Sequence, residues 1–551
     1  MNKDWWKWGN SNEFKHINDY PKAKAYLEDL WKTNFKHEYS PPNKFSIDVV
    51  SEKKKETIKD IFASLASKKI SFKEDDRLKV ALGKSYYDVI RIVKDNNIVT
   101  PDVVLTPTTH EEIEYIIKQA NDNHVKIIPI GGGTNVVGAL TMSAQQLKSD
   151  ITCAINLTNY NKLIQIDHDH FTATFQAGIL GPELEKILNE QDYTLGHFPQ
   201  SFEYSTLGGW IVTRSAGQES SYYGKIEDLV EQIRVVTPIG TLYSNDYTHD
   251  ASGINLLQLF VGSEGTFGVV SEVKIKIKKL PKNYRWVTAL FPNFETGNKF
   301  LQHIAQNDIK PSVVRLSDAK ETMLFSKLSN EHAEPTVFDN LKKELQKYIL
   351  KWKNLDEPCV LIMRFVQHEY SVSAPIMYVK NSIEKFGGMV APSVIGEKWA
   401  ENRFKTPYLR DTFVEHGIYI DTMETLVHWK DVNKMHAALT NALKKSKAFN
   451  KEQGIFLAHI SHIYANAACM YFTLLTPMHR NSEIEQWTEI KELVTNTIVQ
   501  NNGSVSHHHS VGVDHKKWYL KTADPVAINV LRSIKKIIDP NGILNPGKLF
   551  T

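Results

Sequence analysis

Short apolar runs separated by glycine-rich breaks fill the chain between residues 98 and 280. The run Ile127–Ile130 predicts a buried strand that stops at three consecutive glycines, Gly131–Gly133. Apolar residues at helical spacing before it predict a helix through Ile113, Ile116 and Ile117, capped by Thr108 or Thr109. The same patterns predict strands over Ile151–Leu157, Thr172–Gln176 and Val273–Ile277, a hairpin of Arg234–Thr237 and Thr241–Tyr243, and a helix over Pro182–Asn189.

The pattern changes on both sides of this region. Residues 1–95 are rich in Trp, Lys and Asp, and helical spacing predicts an amphipathic helix over Thr57–Ser67. Trp5, Trp6 and Trp8 either dock this segment on the body of the protein or touch a membrane, and docking is favoured. Beyond Pro281 the loops lose their glycines, and the spacing predicts helices over Lys320–Asn330, Lys342–Trp352 and Asp524–Ile538 and core strands over Val360–Phe365 and Ala468–Leu475.

Composition narrows the function classes. Hydrophobic residues make up 42% and charged residues 23% of the 551 positions, as in ordinary soluble globular proteins. A formal net charge of +3 argues against a dedicated nucleic-acid-binding protein. Three widely spaced cysteines support neither a disulfide framework nor a cysteine-rich metal site, and indicate a reducing compartment. We identify no membrane span, secretory signal or usual peroxisomal tripeptide.

Three glycine-rich loops carry the first functional signal. A turn without Cβ atoms can bring backbone N–H groups up against a phosphate, but Gly131–Gly133 alone is equally consistent with a plain tight turn. It is not the usual dinucleotide fingerprint, because Val136 stands where the third glycine belongs. Further glycine loops at Gly208–Gly209 and Gly262–Gly268 favour one large ligand that several loops contact.

The run His507–His509 is the second signal. One interpretation places alternate histidines on opposite faces of a strand, with one or two of them functional. A zinc site is disfavoured, because no His, Asp or Glu at suitable spacing nearby completes the ligand set. Imidazoles here would suit phosphate binding and proton transfer near neutral pH.

Longer motifs identify a family resemblance. Residues of about 98–280 resemble the FAD-binding domain of the vanillyl-alcohol oxidase and p-cresol methylhydroxylase superfamily. From about residue 75 to the end, the chain is more specifically similar to alkyldihydroxyacetonephosphate synthases, through Thr213–Gly217, Ile226–Val230, Val314–Leu316 and Ser506–His509.

The resemblance implies an α+β fold. It consists of a two-subdomain FAD-binding domain at 96–280, an α+β cap at 281–510 and a mostly helical segment at 1–95. Residues 511–551 would return to the FAD-binding domain.

The resemblance also implies non-covalent FAD, because no histidine stands at the glycine triplet where some relatives attach the flavin. The implied cofactor contacts are Pro129, Ile130, Gly131, Gly132, Gly133, Thr134, Asn135, Gln200, Ser201, Phe202, Glu203, Tyr204, Ser205, Thr206, Thr213, Arg214, Ser215, Ala216, Glu264, Gly265, Thr266, Phe267, Gly268, Val269 and Val270.

Family motifs assign roles to single residues. Tyr464 matches the catalytic tyrosine, which can move a proton if neighbouring cations lower its pKa; most tyrosines are instead half-buried with a satisfied hydroxyl. Arg410 matches the arginine that binds the substrate phosphate, although a lone arginine is commonly a surface charge. Arg315 matches an arginine required for activity, His197 matches a substrate-binding position, and His507, His508 and His509 match the active-site run.

The implied reaction belongs to ether-lipid biosynthesis. A long-chain fatty alcohol replaces the acyl group of 1-acyl-dihydroxyacetone phosphate through a covalent adduct at flavin N5, without net redox. The alternatives are an FAD-dependent oxidase or dehydrogenase of a hydroxy acid or alcohol and, less favoured, an inactive flavin-binding scaffold. The resemblance further implies a homodimer, peripheral membrane contact and a peroxisomal location, or a cytoplasmic one in a source without peroxisomes.

Overall fold

The computed structural model describes residues 5–9, 16–32, 34–35, 39–40, 45–94, 98–142, 151–247, 249–328, 357–367, 373–450 and 453–551. Its strands are β1 Ile70–Ser71, β2 Val103–Leu105, β3 Lys126–Ile130, β4 Thr152–Asn156, β5 Leu163–Asp167, β6 Thr172–Gln176, β7 Tyr193–Thr194, β8 Val230–Thr237, β9 Gly240–Tyr243, β10 Val269–Lys276, β11 Lys278–Lys279, β12 Asn283–Phe291, β13 Val313–Ser317, β14 Cys359–Gln367, β15 Met389–Ala391, β16 Ile418–His428, β17 Ile455–Ile463 and β18 Ala467–Pro477.

Helices cover much of the remaining described chain. Their bounds are Pro21–Trp31, Glu52–Ile61, Glu74–Lys79, Tyr86–Lys94, His110–Asp122, Gly181–Asn189, Leu207–Thr213, Ser220–Tyr223, Ile226–Leu229, Leu257–Phe260, Phe294–Gln306, Ala319–Leu328, Ser373–Lys385, Val394–Asn402, Thr406–Glu415, Val432–Leu443, Glu483–Gln500, Lys516–Thr522 and Pro525–Ile538, with short 3₁₀ turns at Ile17–Asp19, Ser67–Lys69 and Trp429–Asp431. This mixture of helices and largely antiparallel sheets confirms the α+β fold class.

Two sheets carry the glycine loops. The first has the order β1-β2-β4-β3, with β2, β3 and β4 parallel, and the second has the order β5-β6-β10-β8-β9, in which all pairs are antiparallel. The predicted cap at Thr109 is confirmed, because its hydroxyl accepts the Glu112 N–H at 3.3 Å. The predicted hairpin is also present, with Thr237 paired to Gly240.

A seven-stranded antiparallel sheet follows residue 280. Its order is β15-β12-β14-β13-β17-β18-β16, and it contains both predicted core strands. Buried side chains such as Phe300, Leu439 and Phe472 form the core between this sheet and its helices. In the described residues no helix is long and apolar enough to cross a membrane.

The C-terminal segment returns to the first sheet, as the resemblance implies. The Ile127 N–H donates to the Ile543 carbonyl, and the Asn545 N–H donates to the Ile127 carbonyl, each at 2.8 Å. The Lys535 ammonium also donates to the Thr266 carbonyl and, at 2.5 Å, to Asp539 Oδ2. The last helix therefore lies against the third glycine loop.

Three predictions in the flanking regions need comment. The helix predicted over Thr57–Ser67 covers Glu52–Ile61 instead, because the Ser51 hydroxyl caps it earlier by accepting the Lys54 N–H at 3.3 Å. The helix predicted over Lys342–Trp352 lies outside the described residues. Docking of the N-terminal tryptophans is confirmed, because Trp6 and Trp8 are buried in the body of the protein.

Candidate active site

A cavity of about 1340 Å³ lies between the glycine loops and the seven-stranded sheet. Loops from the first two sheets form one wall, and side chains of β13, β16, β17 and β18 form the other. Of the predicted cofactor residues, the lining includes Pro129, Ile130, Gly131, Gly132, Gly133, Thr134, Asn135, Gln200, Ser201, Ser205, Thr206, Thr213, Ser215, Ala216, Glu264, Gly265, Gly268, Val269 and Val270. The three loops therefore meet at one site.

The glycine triplet has the geometry of an anion site. A Cβ on Gly132 would lie 1.8 Å from the Tyr204 carbonyl oxygen, and one on Gly131 would lie 2.1 Å from Thr206 Oγ1. Gly133 has φ +67° and opens toward empty space. Within the described part of the chain, the N–H groups of residues 131–134 donate to no protein acceptor. Backbone N–H groups without protein acceptors on a glycine turn fit the pyrophosphate of FAD.

Six of the predicted cofactor residues lie outside the lining of this cavity, and their contact with FAD stays a prediction: Phe202, Glu203, Tyr204, Arg214, Thr266 and Phe267. Several of them pack against neighbouring elements. Phe202 stacks on Phe404 with centroids 5.4 Å apart, and Glu203 accepts a hydrogen bond from Tyr408 at 3.0 Å. Thr266 and Phe267 are buried beneath their loop.

Arg410 lies at the cavity wall, as its assignment requires, but it is held by protein groups. Its Nε and Nη2 donate to Asp411 Oδ1 at 2.9 and 2.7 Å, and Nη1 donates to the Lys84 carbonyl. The half-buried Lys84 ammonium also lines the cavity and donates to the Trp6 carbonyl at 2.8 Å; desolvation lowers its pKa to about 8. Two cationic side chains therefore share this end of the cavity.

Arg315 forms a second cationic group with two partners that the sequence did not reveal. Its Nη2 donates to Glu321 Oε1 at 2.9 Å, and Nη1 lies 3.0 Å from His459 Nε2. His459 Nδ1 is 3.0 Å from the same Glu321 oxygen. Burial alone would raise the pKa of Glu321, but Arg315 and His459 outweigh it and lower the pKa to about 2. The pairing fixes Arg315 against the cavity.

Tyr464 and the histidine run form a chain of hydrogen bonds. The Tyr464 hydroxyl is 2.7 Å from His507 Nε2, and His507 Nδ1 is 3.0 Å from His508 Nδ1. His508 and His509 line the cavity, whereas Tyr464 and His507 lie behind them. Tyr464 thus reaches the cavity through His507 and His508.

The protonation of this chain differs from the expectation. Burial raises the pKa of Tyr464, with further contributions from Cys469 and nearby carboxylates, so the phenol is a neutral donor. Burial lowers the pKa of His508 to about 3, and it lowers that of His507 well below the usual value. The network then assigns the tautomers: Tyr464 donates to His507 Nε2, and His507 Nδ1–H donates to His508.

A buried carboxylate, Glu424 on β16, holds the histidine run. Its Oε1 accepts the Ser506 hydroxyl at 2.6 Å and the N–H groups of His507, His508 and His509 at 2.9, 3.1 and 3.1 Å. Its Oε2 also accepts the His507 N–H, at 2.7 Å. Residues 506–509 form a loop around this carboxylate, and the alternating-strand interpretation is therefore wrong.

A second glutamate holds the other side of the same loop. Glu264 Oε1 accepts the N–H groups of Val511 and Gly512, each at 2.8 Å, and the Ser510 hydroxyl. Glu264 belongs to the third glycine loop, whereas Glu424 belongs to the seven-stranded sheet. The segment 506–512 is therefore fixed from both walls of the cavity, and we refer to it as the histidine loop.

Two further histidines lie near the histidine loop. His197 is fully buried, does not line the cavity, and bonds through Nε2 to Ser215 Oγ at 2.8 Å, which does not fit its predicted direct contact with substrate. His462, which was not among the predicted site residues, lines the cavity, and its ring lies 5.0 Å from that of His507. The one sequence feature that could have indicated this position is that His462 lies two residues before Tyr464, in strand β17.

The remaining lining includes an apolar stretch. It contains Leu27, Leu324, Phe413, Leu457 and Leu475, which belong to one buried cluster. This cluster joins helix Pro21–Trp31 to helix Ala319–Leu328 and strands β17 and β18. The cavity therefore combines an anion-binding turn, cationic side chains and an apolar wall.

Comparison with known proteins identifies both halves of this architecture. Residues 101–245 match a family model described as an FAD binding domain, and residues 280–549 match one described as FAD linked oxidases, C-terminal domain. These matches, together with the fit of the glycine turn, make FAD the cofactor of this protein.

Individual relatives give the family. Alkyldihydroxyacetonephosphate synthase of Dictyostelium discoideum is 36% identical over 480 residues, covering 86% of this chain and 77% of that relative. The protein of the same name from Caenorhabditis elegans is 33% identical, with 93% of this chain and 86% of that relative covered.

Solved structures agree. An alkyldihydroxyacetonephosphate synthase structure superimposes with a TM-score of 0.83 at 29% identity, over 99% of this chain and 98% of that one. p-Cresol methylhydroxylase with substrate bound, at 14% identity and a TM-score of 0.67, shares the fold over 91% of this chain and 98% of that one. The chain therefore belongs to the alkyldihydroxyacetonephosphate synthase family of FAD-dependent enzymes.

Proposed function

We propose that this protein exchanges the acyl group of 1-acyl-dihydroxyacetone phosphate for a long-chain fatty alcohol. The products are 1-alkyl-dihydroxyacetone phosphate and a fatty acid, and the reaction has no net redox change. One observation carries the proposal: a single cavity is lined by the flavin-binding turn, two fixed arginines, the His508 end of the Tyr464–His507–His508 hydrogen-bond chain, and an apolar wall. A phosphorylated substrate with two long chains needs all four.

The phosphate group is assigned to Arg410. A guanidinium has five N–H donors, and three of those of Arg410 are engaged by Asp411 and the Lys84 carbonyl. These contacts leave donors for a phosphate while they fix the guanidinium plane. The neighbouring Lys84 ammonium adds positive charge to the same end of the cavity.

The alkyl chains are assigned to the apolar wall of Leu27, Leu324, Phe413, Leu457 and Leu475. Burying a methylene group in such surroundings is worth about 0.8 kcal/mol. Because the wall belongs to the same cavity as the two arginines, one substrate molecule can occupy both regions.

FAD, when bound, supplies a nucleophilic ring nitrogen that can take the place of the departing carboxylate. The protein's own part is to hold the phosphate, exclude water and move protons. His508 faces the cavity and receives a proton from His507, which in turn draws on the Tyr464 hydroxyl. Arg315, fixed by Glu321 and His459, stabilises negative charge that develops on the departing carboxylate.

The test is to incubate the yellow holoenzyme with acyl substrate and labelled hexadecanol, and to follow ether formation and dissolved oxygen together. We expect labelled ether and free fatty acid without oxygen consumption, because substrate and product have the same oxidation level. Stoichiometric hydrogen peroxide without ether would make the protein an oxidase and refute the proposal. Peroxisomal location, peripheral membrane contact and a homodimer stay predictions.

A further inference from the structure

Four potential metal ligands meet behind the histidine loop. They are Glu424 on β16, Cys469 on β18, and His507 and His508, and their ligand atoms all lie within 4.8 Å of one another. His508 Nδ1 lies 3.0 Å from His507 Nδ1, 4.0 Å from Cys469 Sγ and 3.9 Å from Glu424 Oε2. Glu424 and Cys469 are far from the histidine run in sequence, and they reach it from two neighbouring strands, β16 and β18.

The donor set and its spacing suit one class of ion. Zinc takes thiolate at about 2.3 Å and imidazole or carboxylate at about 2.0–2.2 Å, which places tetrahedral ligand atoms roughly 3.3–3.6 Å apart. The observed separations of 3.0, 3.9 and 4.0 Å lie on both sides of these values, so side-chain movements of up to about 1 Å would bring the ligand atoms to tetrahedral spacing. Hard ions such as magnesium disfavour a thiolate and two imidazoles.

The charges also balance. Both oxygens of Glu424 accept hydrogen bonds, from the Ser506 hydroxyl and from the backbone N–H groups of His507, His508 and His509, which is the pattern of an ionised carboxylate. Histidine binds a metal ion through a neutral imidazole, so the two histidines add no charge to the site. A divalent cation that displaces the Cys469 proton would meet one thiolate and one carboxylate, so the buried site carries no net charge: M²⁺ + Cys–SH gives the metal thiolate and H⁺.

Neighbouring groups already orient the ligands. Backbone N–H groups fix the Glu424 carboxylate, and the Tyr464 hydroxyl lies at the far nitrogen of His507. If His507 binds through Nδ1, its proton moves to Nε2 and donates to the Tyr464 oxygen, an orientation typical of metal-bound histidine. His508 lines the cavity, which provides the entry route.

We propose that Glu424, Cys469, His507 and His508 form a site for a divalent cation of the zinc class, whose occupation inhibits the enzyme. The inhibition rests on the proposed function: with both Nδ1 atoms bound to the metal, no proton passes between His507 and His508. The site itself rests only on the ligand geometry.

The experiment uses the chelator-treated holoenzyme. Zinc is added at buffered free concentrations, bound metal is counted by mass spectrometry after gel filtration, and ether formation is assayed on the same samples. We expect one zinc per chain and a parallel loss of activity that a chelator reverses. In Cys469→Ser the zinc affinity should fall roughly 100-fold or more, because even the loss of an outer-shell partner costs 10–100-fold. The matched control is Cys359→Ser, another buried cysteine without these partners, which should bind zinc like wild type.

Each outcome has a separate meaning. Zinc binding that is absent, or that survives Cys469→Ser unchanged, overturns the site and leaves the proposed function untouched. Stoichiometric zinc with undiminished ether formation overturns the inhibition. Stoichiometric, Cys469-dependent zinc in a protein that never forms ether supports the site and refutes the proposed function instead.

Discussion

Replacing Glu424 by glutamine should release the histidine loop. The carboxylate accepts five hydrogen bonds from four donors, the Ser506 hydroxyl and the N–H groups of His507, His508 and His509. Glutamine keeps the shape and one acceptor oxygen, but its NH₂ group would face the His507 N–H, donor against donor.

The magnitude follows from the bond count. A hydrogen bond to a charged group is worth about 1.5–3 kcal/mol and a neutral one about 0.5–1.5 kcal/mol. Each of the four donors, Ser506 Oγ–H and the three backbone N–H groups, therefore loses about 1 kcal/mol when its acceptor becomes a neutral amide. The neutral amide is cheaper to bury, which offsets part of this loss. A net destabilisation of about 2–4 kcal/mol corresponds to a roughly 30- to 1000-fold increase in local opening.

Amide hydrogen exchange of peptides covering residues 504–512 measures this opening directly in metal-free holoenzyme. We expect the protection of His507, His508 and His509 to fall by that factor while flavin content is retained. Glu295→Gln, whose exposed carboxylate pairs with Lys299 on the same helix, is the control and should leave these peptides unchanged. Unchanged protection in Glu424→Gln would refute the argument that this carboxylate holds the loop.

Four further predictions follow from the site. Tyr464→Phe should retain FAD but lose about 10²- to 10⁴-fold in ether formation, since the proton donor to His507 is gone; full activity in a steady-state assay would remove Tyr464 from the proton path. Arg410→Lys should lose about 2 kcal/mol, roughly thirtyfold in kcat/KM, because the planar fork is lost, and unchanged kinetics would place the phosphate elsewhere. Gly132→Val should abolish FAD retention by displacing the Tyr204 carbonyl rather than by filling the pyrophosphate site, which flavin absorbance after gel filtration checks; retained flavin would contradict the tight packing. Burial lowers the pKa of His197 to about 3, so below about pH 6.5 the unfolded chain takes up a proton that the folded chain does not. The free energy of unfolding therefore decreases as the pH is lowered, by about 2 kcal/mol at pH 5. His197→Asn should show a smaller decrease in thermal midpoint between pH 7.5 and pH 5 than wild type, and an equal decrease would contradict this.

The local elements were predictable from sequence because their determinants are local. Strand β6 has the predicted bounds, Thr172–Gln176, and the helix predicted over Pro182–Asn189 differs from the observed one by one residue. An apolar run that stops at Gly131 specifies both the strand and the turn, since only glycine tolerates the close approach to Tyr204.

The partners of the site residues were not predictable in the same way. Glu424 lies 83 residues before His507, and only the pairing of β16 with β18 and the path of the following chain bring them together. Glu321 and His459 likewise meet Arg315 through tertiary contacts between a helix and two strands. Single-sequence patterns report which face is buried, but not which buried polar groups meet.

The histidine loop also ties catalytic competence to assembly. Glu264 reaches it from the flavin-binding side and Glu424 from the seven-stranded sheet, so neither half alone can arrange the imidazoles. We expect a chain whose halves are each folded but wrongly docked to bind FAD through the glycine loops and to be yellow, while the proposed proton path through His507 and His508 is broken. Colour and flavin content therefore report only on the folding of the flavin-binding half. Hydrogen-exchange protection of the histidine loop, or turnover, is needed to show that the two halves are correctly docked.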